Sequence, residues 1–297
     1  MIDKIYSKLQ DEKVKRAVEV QSHVRYELKR FLHEKGFVEI PPVIISPLTD
    51  PLRDETYEAT INYYGHRYSL TKSMIFHKQL ALIPFEKIFA FSPNVRLEPV
   101  HVRSSKRHLA EFTQLDLEVR DATREDIMEL VEEMLVHVIK NVKSRFSLDI
   151  DVPSPPFPEI TFQQAYSKYG KDFEVELSKE MDTPFWIVDM PITHREFYDR
   201  EYKEGILRDM DLIYPYGFGE AASGGEREYR YERILDRIKR GGYKPEDFKL
   251  YLEFAKRGIP RSAGIGIGME RLTRFLCKLK SVEDTTLFPK VIGEPGI

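Results

Sequence analysis

Glu111-Phe-Thr-Gln-Leu-Asp-Leu-Glu118-Val119 alternates so regularly that it divides into two faces. Side chains two apart in an extended strand point the same way. Thr113, Leu115, Leu117 and Val119 are therefore expected to face a core, with Phe112, Gln114, Asp116 and Glu118 on the opposite side. An aromatic ring, an amide and two carboxylates suit the floor of a wet pocket better than a packed interior. Upstream, the apolar run Lys87-Ile-Phe-Ala-Phe-Ser-Pro-Asn-Val-Arg96-Leu-Glu98 reads as a second strand, which delivers a guanidinium and a carboxylate on one face. The polar 99–108 loop joins the two.

Far downstream lies Gly264-Ile-Gly-Ile-Gly-Met-Glu-Arg271. Glycine at every second position strips one face of that strand of side chains, so something can lie against its backbone. Leu272, Phe275, Leu276 and Leu279 follow at helical spacing and predict a helix that fixes Arg271 at its start. A guanidinium there is planar, permanently charged and able to stack on a base. Each feature alone has an ordinary reading: Arg96 with Glu98 as a surface pair, the glycines as a tight packing site. Their joint occurrence around the 112–118 face points to a nucleotide-activating site.

Composition sets the bounds. With 297 residues, a net charge of -3 and 41% hydrophobic residues, the chain can bury a substantial core without disulfides. Its one cysteine, Cys277, sits among apolar neighbours in the final helix and reads as an inert thiol, so a cysteine nucleophile has no candidate. No apolar run approaches a membrane span, and Met1-Ile-Asp-Lys-Ile-Tyr has no signal-peptide pattern, so no membrane association and a cytoplasmic location are expected. The only linker-like stretch, Asp151-Val-Pro-Ser-Pro-Pro-Phe-Pro158, lies between motifs proposed to build one pocket, which predicts a single domain over 1–297. The eight histidines are scattered, which argues against zinc. A hard cation fits better, because Glu220 and Ser223 in Gly219-Glu-Ala-Ala-Ser-Gly-Gly-Glu-Arg227 place oxygen ligands close together.

These stretches resemble the catalytic core of the class II aminoacyl-tRNA synthetases, in the aspartate and asparagine branch, over nearly the whole chain. Val95-Arg-Leu-Glu98, continuing through Arg107-His-Leu-Ala-Glu-Phe-Thr-Gln-Leu-Asp-Leu-Glu118, is similar to the second motif of that family, and the 264–271 stretch to its third. Gly36-Phe-Val-Glu-Ile-Pro-Pro-Val43, after a long amphipathic helix over 14–35, resembles the first, with Pro42 where the family forms its dimer interface. The resemblance implies an α+β fold, an antiparallel β-sheet flanked by helices, and a homodimer that uses ATP and Mg2+. It assigns Arg96 to the α-phosphate and the reacting carboxylate, and Phe112 and Arg271, beside Gly268, to the two faces of adenine. Glu98 falls to adenine recognition, Arg107 and His108 to the outer phosphates. Gln114 and Asp116 would face the amino acid, Lys78 and Arg227 would grip a substrate carboxylate, and Ser223 lies with them. Glu118, Glu220 and Ser223 would hold the metal.

Three departures shape the functional expectation. The anticodon-binding barrel that precedes the core in such synthetases has no room before the first motif, and no basic arm replaces it, so tRNA is not an expected partner. Ile75 stands where the family usually has glutamine, which alters a contact to the amino-acid backbone. Thr113-Gln-Leu-Asp-Leu-Glu118 looks aspartate-type, whereas Ser223-Gly-Gly-Glu-Arg-Glu228 looks asparagine-type, with Glu226 a candidate to orient ammonia. The chain thus resembles archaeal-type asparagine synthetases, which implies aspartate and ammonia as substrates and an aspartyl-adenylate between them. The alternatives are a truncated synthetase that passes aspartate or asparagine to tRNA or protein, and a non-catalytic ligand sensor.

Overall fold

The computed structural model describes residues 2–52 and 55–296. Helix α1 (Ile2–Leu9) leads into α2 (Glu12–Glu34), whose first turn is capped by Asp11 accepting from the Lys13 amide. Val14, Ala17, Val20, Val24, Leu28 and Phe31 recur at helical spacing and form its buried stripe. Strand β1 (Val38–Glu39) follows, then a small sheet of β2 (Ile45–Ser46), β3 (Thr60–Tyr63) and β4 (His66–Leu70). Next come α3 (Ile75–Ala81), β5 (Lys87–Val95), β6 (Glu111–Arg120) and α4 (Arg124–Phe146). A capping box between Thr123 and Asp126 starts α4. Strand β7 (Glu159–Thr161), α5 (Phe162–Tyr169), α6 (Phe173–Glu180), β8 (Phe185–Val188), β9 (Glu201–Lys203) and β10 (Ile206–Leu207) precede the hairpin of β11 (Asp209–Tyr214) and β12 (Gly219–Glu226). The chain closes with α7 (Tyr231–Arg240), α8 (Lys249–Arg257), β13 (Ser262–Gly268) and α9 (Met269–Leu276).

Among the described residues the main sheet has eight strands in the order β1-β5-β6-β13-β12-β11-β8-β7. Its inner pairs are antiparallel and its two outer pairs, β1 with β5 and β7 with β8, are parallel. The sheet takes strands from both sides of the 151–158 stretch. On one face, Leu115 and Leu117 of β6 pack with Ile265 and Ile267 of β13 beneath α2, α4 and α9 in one continuous core. Each such aliphatic side chain contributes roughly 1.5–3 kcal/mol when fully buried.

The other face is covered only in part. Near β7, β8 and β11, α5 and α6 seal it through Phe173, Leu177, Phe185 and Ile187. A second cluster of Phe76 from α3, Phe197, and residues of α7 and α8 stands apart from the first core. The cavity opens between that cluster and the glycine-bearing middle of the sheet.

Two elements are shorter than the sequence predicts. The stretch after Gly36, read as a strand over 37–45 from its sequence, pairs with β5 only as far as the Ile40 amide donating to Phe89, because Pro41 and Pro42 have no N–H to continue the ladder. Helix α9 stops at Leu276 instead of running past Leu279, as Lys278 takes a left-handed conformation at φ 51°.

Candidate active site

Cross-strand register builds the floor of the cavity. Asp116, Gly266, Ser223 and Asp211 lie abreast on β6, β13, β12 and β11, and the next rung carries Glu118, Gly264, Gly225 and Asp209. Small residues in the middle leave a trough between two acidic flanks. On one flank stand Lys78 and Arg227, and on the other Arg195, which donates to Asp209 at 2.9 Å and lies 2.5 Å from Asp211.

The glycine face is occupied by the protein itself in part. A Cβ on Gly264 would lie 2.0 Å from Glu118 Oε2 and 2.3 Å from the Leu117 carbonyl, so glycine is required there for Glu118 to cross the strand. At Gly266 the neighbours are Gln114 Nε2 at 3.1 Å and Asp116 Oδ1 at 3.2 Å, both of which line the cavity.

At the inner end the two expected cations are buried and already paired. Lys78 Nζ donates to Asp116 Oδ1 at 3.0 Å and lies 3.5 Å from Glu118 Oε2. Arg227 donates through Nε to Glu118 Oε1 at 3.1 Å, through Nη1 to Asp199 at 2.6 Å and through Nη2 to the Gly264 carbonyl at 3.0 Å. Two positive side chains thus meet three negative ones, Asp116, Glu118 and Asp199. The pair of cations is not a bare trap for an acid, as the sequence suggested. It is a lattice in which acidic groups outnumber the cations by one, with donors and acceptors side by side.

At the outer end, Arg96 donates to the Lys72 carbonyl at 3.1 Å and holds its guanidinium 5.2 Å from the centre of the Phe112 ring. Arg271 is fixed by its edges. Nη1 lies 3.0 Å from Glu220 Oε2, Nε donates to the Arg107 carbonyl at 3.4 Å, and Nη2 meets His108 Nε2 at 3.3 Å. Bonds at the edge set the plane of a guanidinium and leave its faces for stacking. Glu98 lies close enough for its charge to raise the Arg271 pKa. Arg107 lies over Gly219, where a Cβ would come 2.6 Å from Nη1, and φ is +76°.

Two ionisation states follow. Burial, with Arg271 and Arg107 alongside, pushes His108 down to about 3, so the ring is neutral. Arg271 can only donate, which makes His108 Nε2 the acceptor and puts the proton on Nδ1, bonded to Ser105 Oγ at 2.7 Å. His108 therefore braces Arg271 and brings no positive charge to a phosphate. Burial alone would raise Glu220, but Arg271, Arg107 and Arg195 outweigh it and hold the carboxyl at about 2. Glu220 is ionised throughout the physiological range.

Every residue that the sequence singled out for this site, Glu118 and Glu226 excepted, lines one cavity. Glu118 is wholly buried beneath the floor, its oxygens taken by Arg227, Ser262 and Lys78, so it serves as counter-ion to the two cations and is not placed to ligate a metal. Glu226, a candidate for ammonia, is likewise removed from the cavity: Arg200, the Arg124 amide and Arg208 hold it. For magnesium, Glu220 and Ser223 remain, with Asp211 on the Ser223 rung. No group of three or more His, Cys, Asp or Glu among the described residues forms a metal cage. One ionised carboxylate and a hydroxyl fit an ion that arrives with phosphates, since Mg2+ is commonly held that way. Cys277 is half-buried, and burial raises its thiol to about 11, which keeps it unreactive.

The sequence reading missed the wall formed by Asp50, Arg195, Glu196, Tyr198 and Asp199. A signal was present: Pro191-Ile-Thr-His-Arg-Glu-Phe-Tyr-Asp199 interleaves ionisable and aromatic residues directly after the apolar β8, too polar for a strand and too aromatic for a solvated turn.

The profile of the family described as tRNA synthetases class II (D, K and N) matches residues 1–292. An aspartate–tRNA(Asp/Asn) ligase of Methanopyrus kandleri is 30% identical over 294 residues, covering 91% of this chain and 66% of its own. An asparagine–tRNA ligase of Thermococcus kodakarensis is 27% identical, covering 98% of this chain and 72% of its own. Among solved structures, asparaginyl-tRNA synthetase from Pyrococcus horikoshii complexed with asparaginyl-adenylate superposes with a TM-score of 0.87 at 25% identity, over 97% of this chain and 71% of that one. The chain spans about two thirds of the length of the curated relatives it matches.

Proposed function

The chain belongs to the class II tRNA synthetases of the D, K and N group, and on that premise we propose that it joins aspartate to ammonia, with ATP consumed to AMP and pyrophosphate. The observation that carries this reading is the inner lattice, where Lys78 and Arg227 stand beside Asp116, Glu118 and Asp199. A substrate carboxylate needs donors alone, whereas a product amide presents both an acceptor oxygen and N–H donors. A site that offers both suits a reaction that turns one into the other. Ile75, buried on the cavity wall one helical turn before Lys78, supports a substrate orientation unlike that of tRNA charging.

In this reading a carboxylate oxygen of aspartate attacks the α-phosphorus, the bond from that phosphorus to the bridging oxygen breaks, and pyrophosphate leaves. The carboxylate is already a nucleophile, so the protein's part is placement and charge stabilisation. Arg96 faces the charge that builds on the phosphoryl oxygens. Arg271 and Phe112 hold the base, Glu98 helps select it, and Arg107 meets the outer phosphates. Glu220 and Ser223 would hold magnesium, which screens the phosphate charge when bound. Ammonia then adds to the acyl carbon, the carbon–oxygen bond to AMP breaks with its electrons on the leaving oxygen, and a proton leaves the nitrogen.

Transfer to tRNA is the second reading, favoured by the names of the relatives, which are tRNA ligases. The expectation against a tRNA partner finds no support in them. One experiment separates the two: AMP release with ATP, magnesium and aspartate, with and without ammonium, while chromatography follows free asparagine. Asparagine formed in step with AMP is the expected result. AMP or pyrophosphate exchange without asparagine moves the acceptor to tRNA or protein, and neither activity identifies a ligand sensor.

A further inference from the structure

At neutral pH ammonia in solution is almost wholly ammonium. An enzyme that uses it must hold a small cation beside the acyl carbon and remove a proton from it. The residues assigned to ATP and aspartate leave the 191–199 wall without a role. Asp199 on that wall is 4% exposed and lines the cavity. Its Oδ1 accepts from Arg227, and its Oδ2 takes no hydrogen bond among the described residues. Asp116 Oδ2, buried in the same cavity, also has no partner. Among the described residues, Lys78 and Arg227 against Asp116, Glu118 and Asp199 leave the inner end one negative charge in excess. The ammonium group of aspartate answers to Asp116. One acidic position is left over.

Its place is also suitable. Asp50, Arg96 and Asp199 line the same cavity, and both Arg96 and Asp199 lie close enough to Asp50 for their charges to act on it. The Tyr198 hydroxyl donates to Asp50 at 2.9 Å, which leaves its oxygen lone pairs as further acceptors on that wall.

We propose that Asp199 is the ammonium-capturing residue, binding the cation through Oδ2 beside Tyr198 and Asp50; the inference rests on the asparagine-forming reading. Asp199 accepts one proton from ammonium. The freed lone pair on nitrogen forms the bond to the acyl carbon, the bond to the AMP oxygen breaks with its electrons on AMP, and a second N–H proton and the one on Asp199 pass to water.

The test compares two nucleophiles on the purified full chain and on Asp199→Asn. Hydroxylamine is a weaker base, largely uncharged at neutral pH, and needs no capture as a cation. D199N should raise the KM for ammonium chloride about tenfold or more, as loss of a charge-assisted hydrogen bond does. Hydroxamate formation from hydroxylamine and aspartate-dependent pyrophosphate exchange should fall several-fold less. Asp199→Glu should recover ammonium use. An unchanged KM for ammonium, or equal losses with both nucleophiles, overturns the proposal and makes Asp199 a support for Arg227. If D199N does not fold, Asp50→Asn carries the test: its preference for ammonium over hydroxylamine should drop about threefold or more, and an unchanged preference overturns the proposal. Wild-type protein that exchanges pyrophosphate but forms no asparagine refutes the parent reading, a separate result.

Discussion

Among the described residues the Arg96 guanidinium makes one hydrogen bond, to the Lys72 carbonyl, and otherwise faces the cavity beside Phe112. Such a side chain contributes little to the folded state and much to a charge that forms only during reaction. Arg96→Ala should lower aspartate-dependent pyrophosphate exchange about 100- to 1000-fold while the thermal midpoint stays near that of the wild type. Exchange within tenfold of wild type would show that Arg96 is misassigned. Periodicity placed Arg96, Phe112, Gly268 and Arg271 on elements that line the cavity, whereas Arg107 and His108, on an irregular loop, and Arg227 were suggested by the family resemblance alone. Glu118 was misread for a physical reason: alternation gives the face of a residue and says nothing of depth. Two carboxylates on one face differ completely in role once Asp116 borders the cavity and Glu118 is covered by Arg227, Lys78 and Ser262.

At the scale of elements, β6 and β13 hold the site together through a close approach. Gly264→Ala would put a Cβ 2.3 Å from the Leu117 carbonyl on the neighbouring strand. Backbone cannot yield as a long side chain can. The substitution should cost about 3 kcal/mol or more of stability and displace Glu118 from Arg227, which urea unfolding with an exchange assay can verify. A midpoint like that of the wild type would mean that the strands part more easily than their register indicates. The paired strands and the α9 start were readable from periodicity. The 191–199 wall was not, because irregular backbone has no period and its residues are brought to the cavity by α3, α7 and α8 packing behind them.

On the scale of the whole molecule, the first 45 residues expose several large apolar side chains. Tyr26 on α2, Val38 on β1, and Ile44 and Ile45 just beyond Pro41 and Pro42 are each at least 40% exposed. They lie in or beside the stretch that resembles the dimer-forming motif, and exposed apolar side chains favour association where they meet a partner. Sedimentation at micromolar concentration should give a dimer, and Val38→Glu with Ile44→Glu should shift it to monomer. A wild-type monomer at that concentration would contradict the expectation. No helix among the described residues is long and apolar enough to cross a membrane.

The position of Glu118 bears on how the pocket could be re-tuned. Lys78 and Arg227 reach the cavity, but one of the three carboxylates that balance them, Glu118, does not line it. Replacing a lining residue changes one contact, whereas Glu118→Gln would remove one of the three negative charges that face Lys78 and Arg227 and leave the inner end balanced, without altering its shape. Altering substrate preference in this scaffold is then a matter of editing the layer under the floor, out of reach of any screen confined to residues in contact with the ligand.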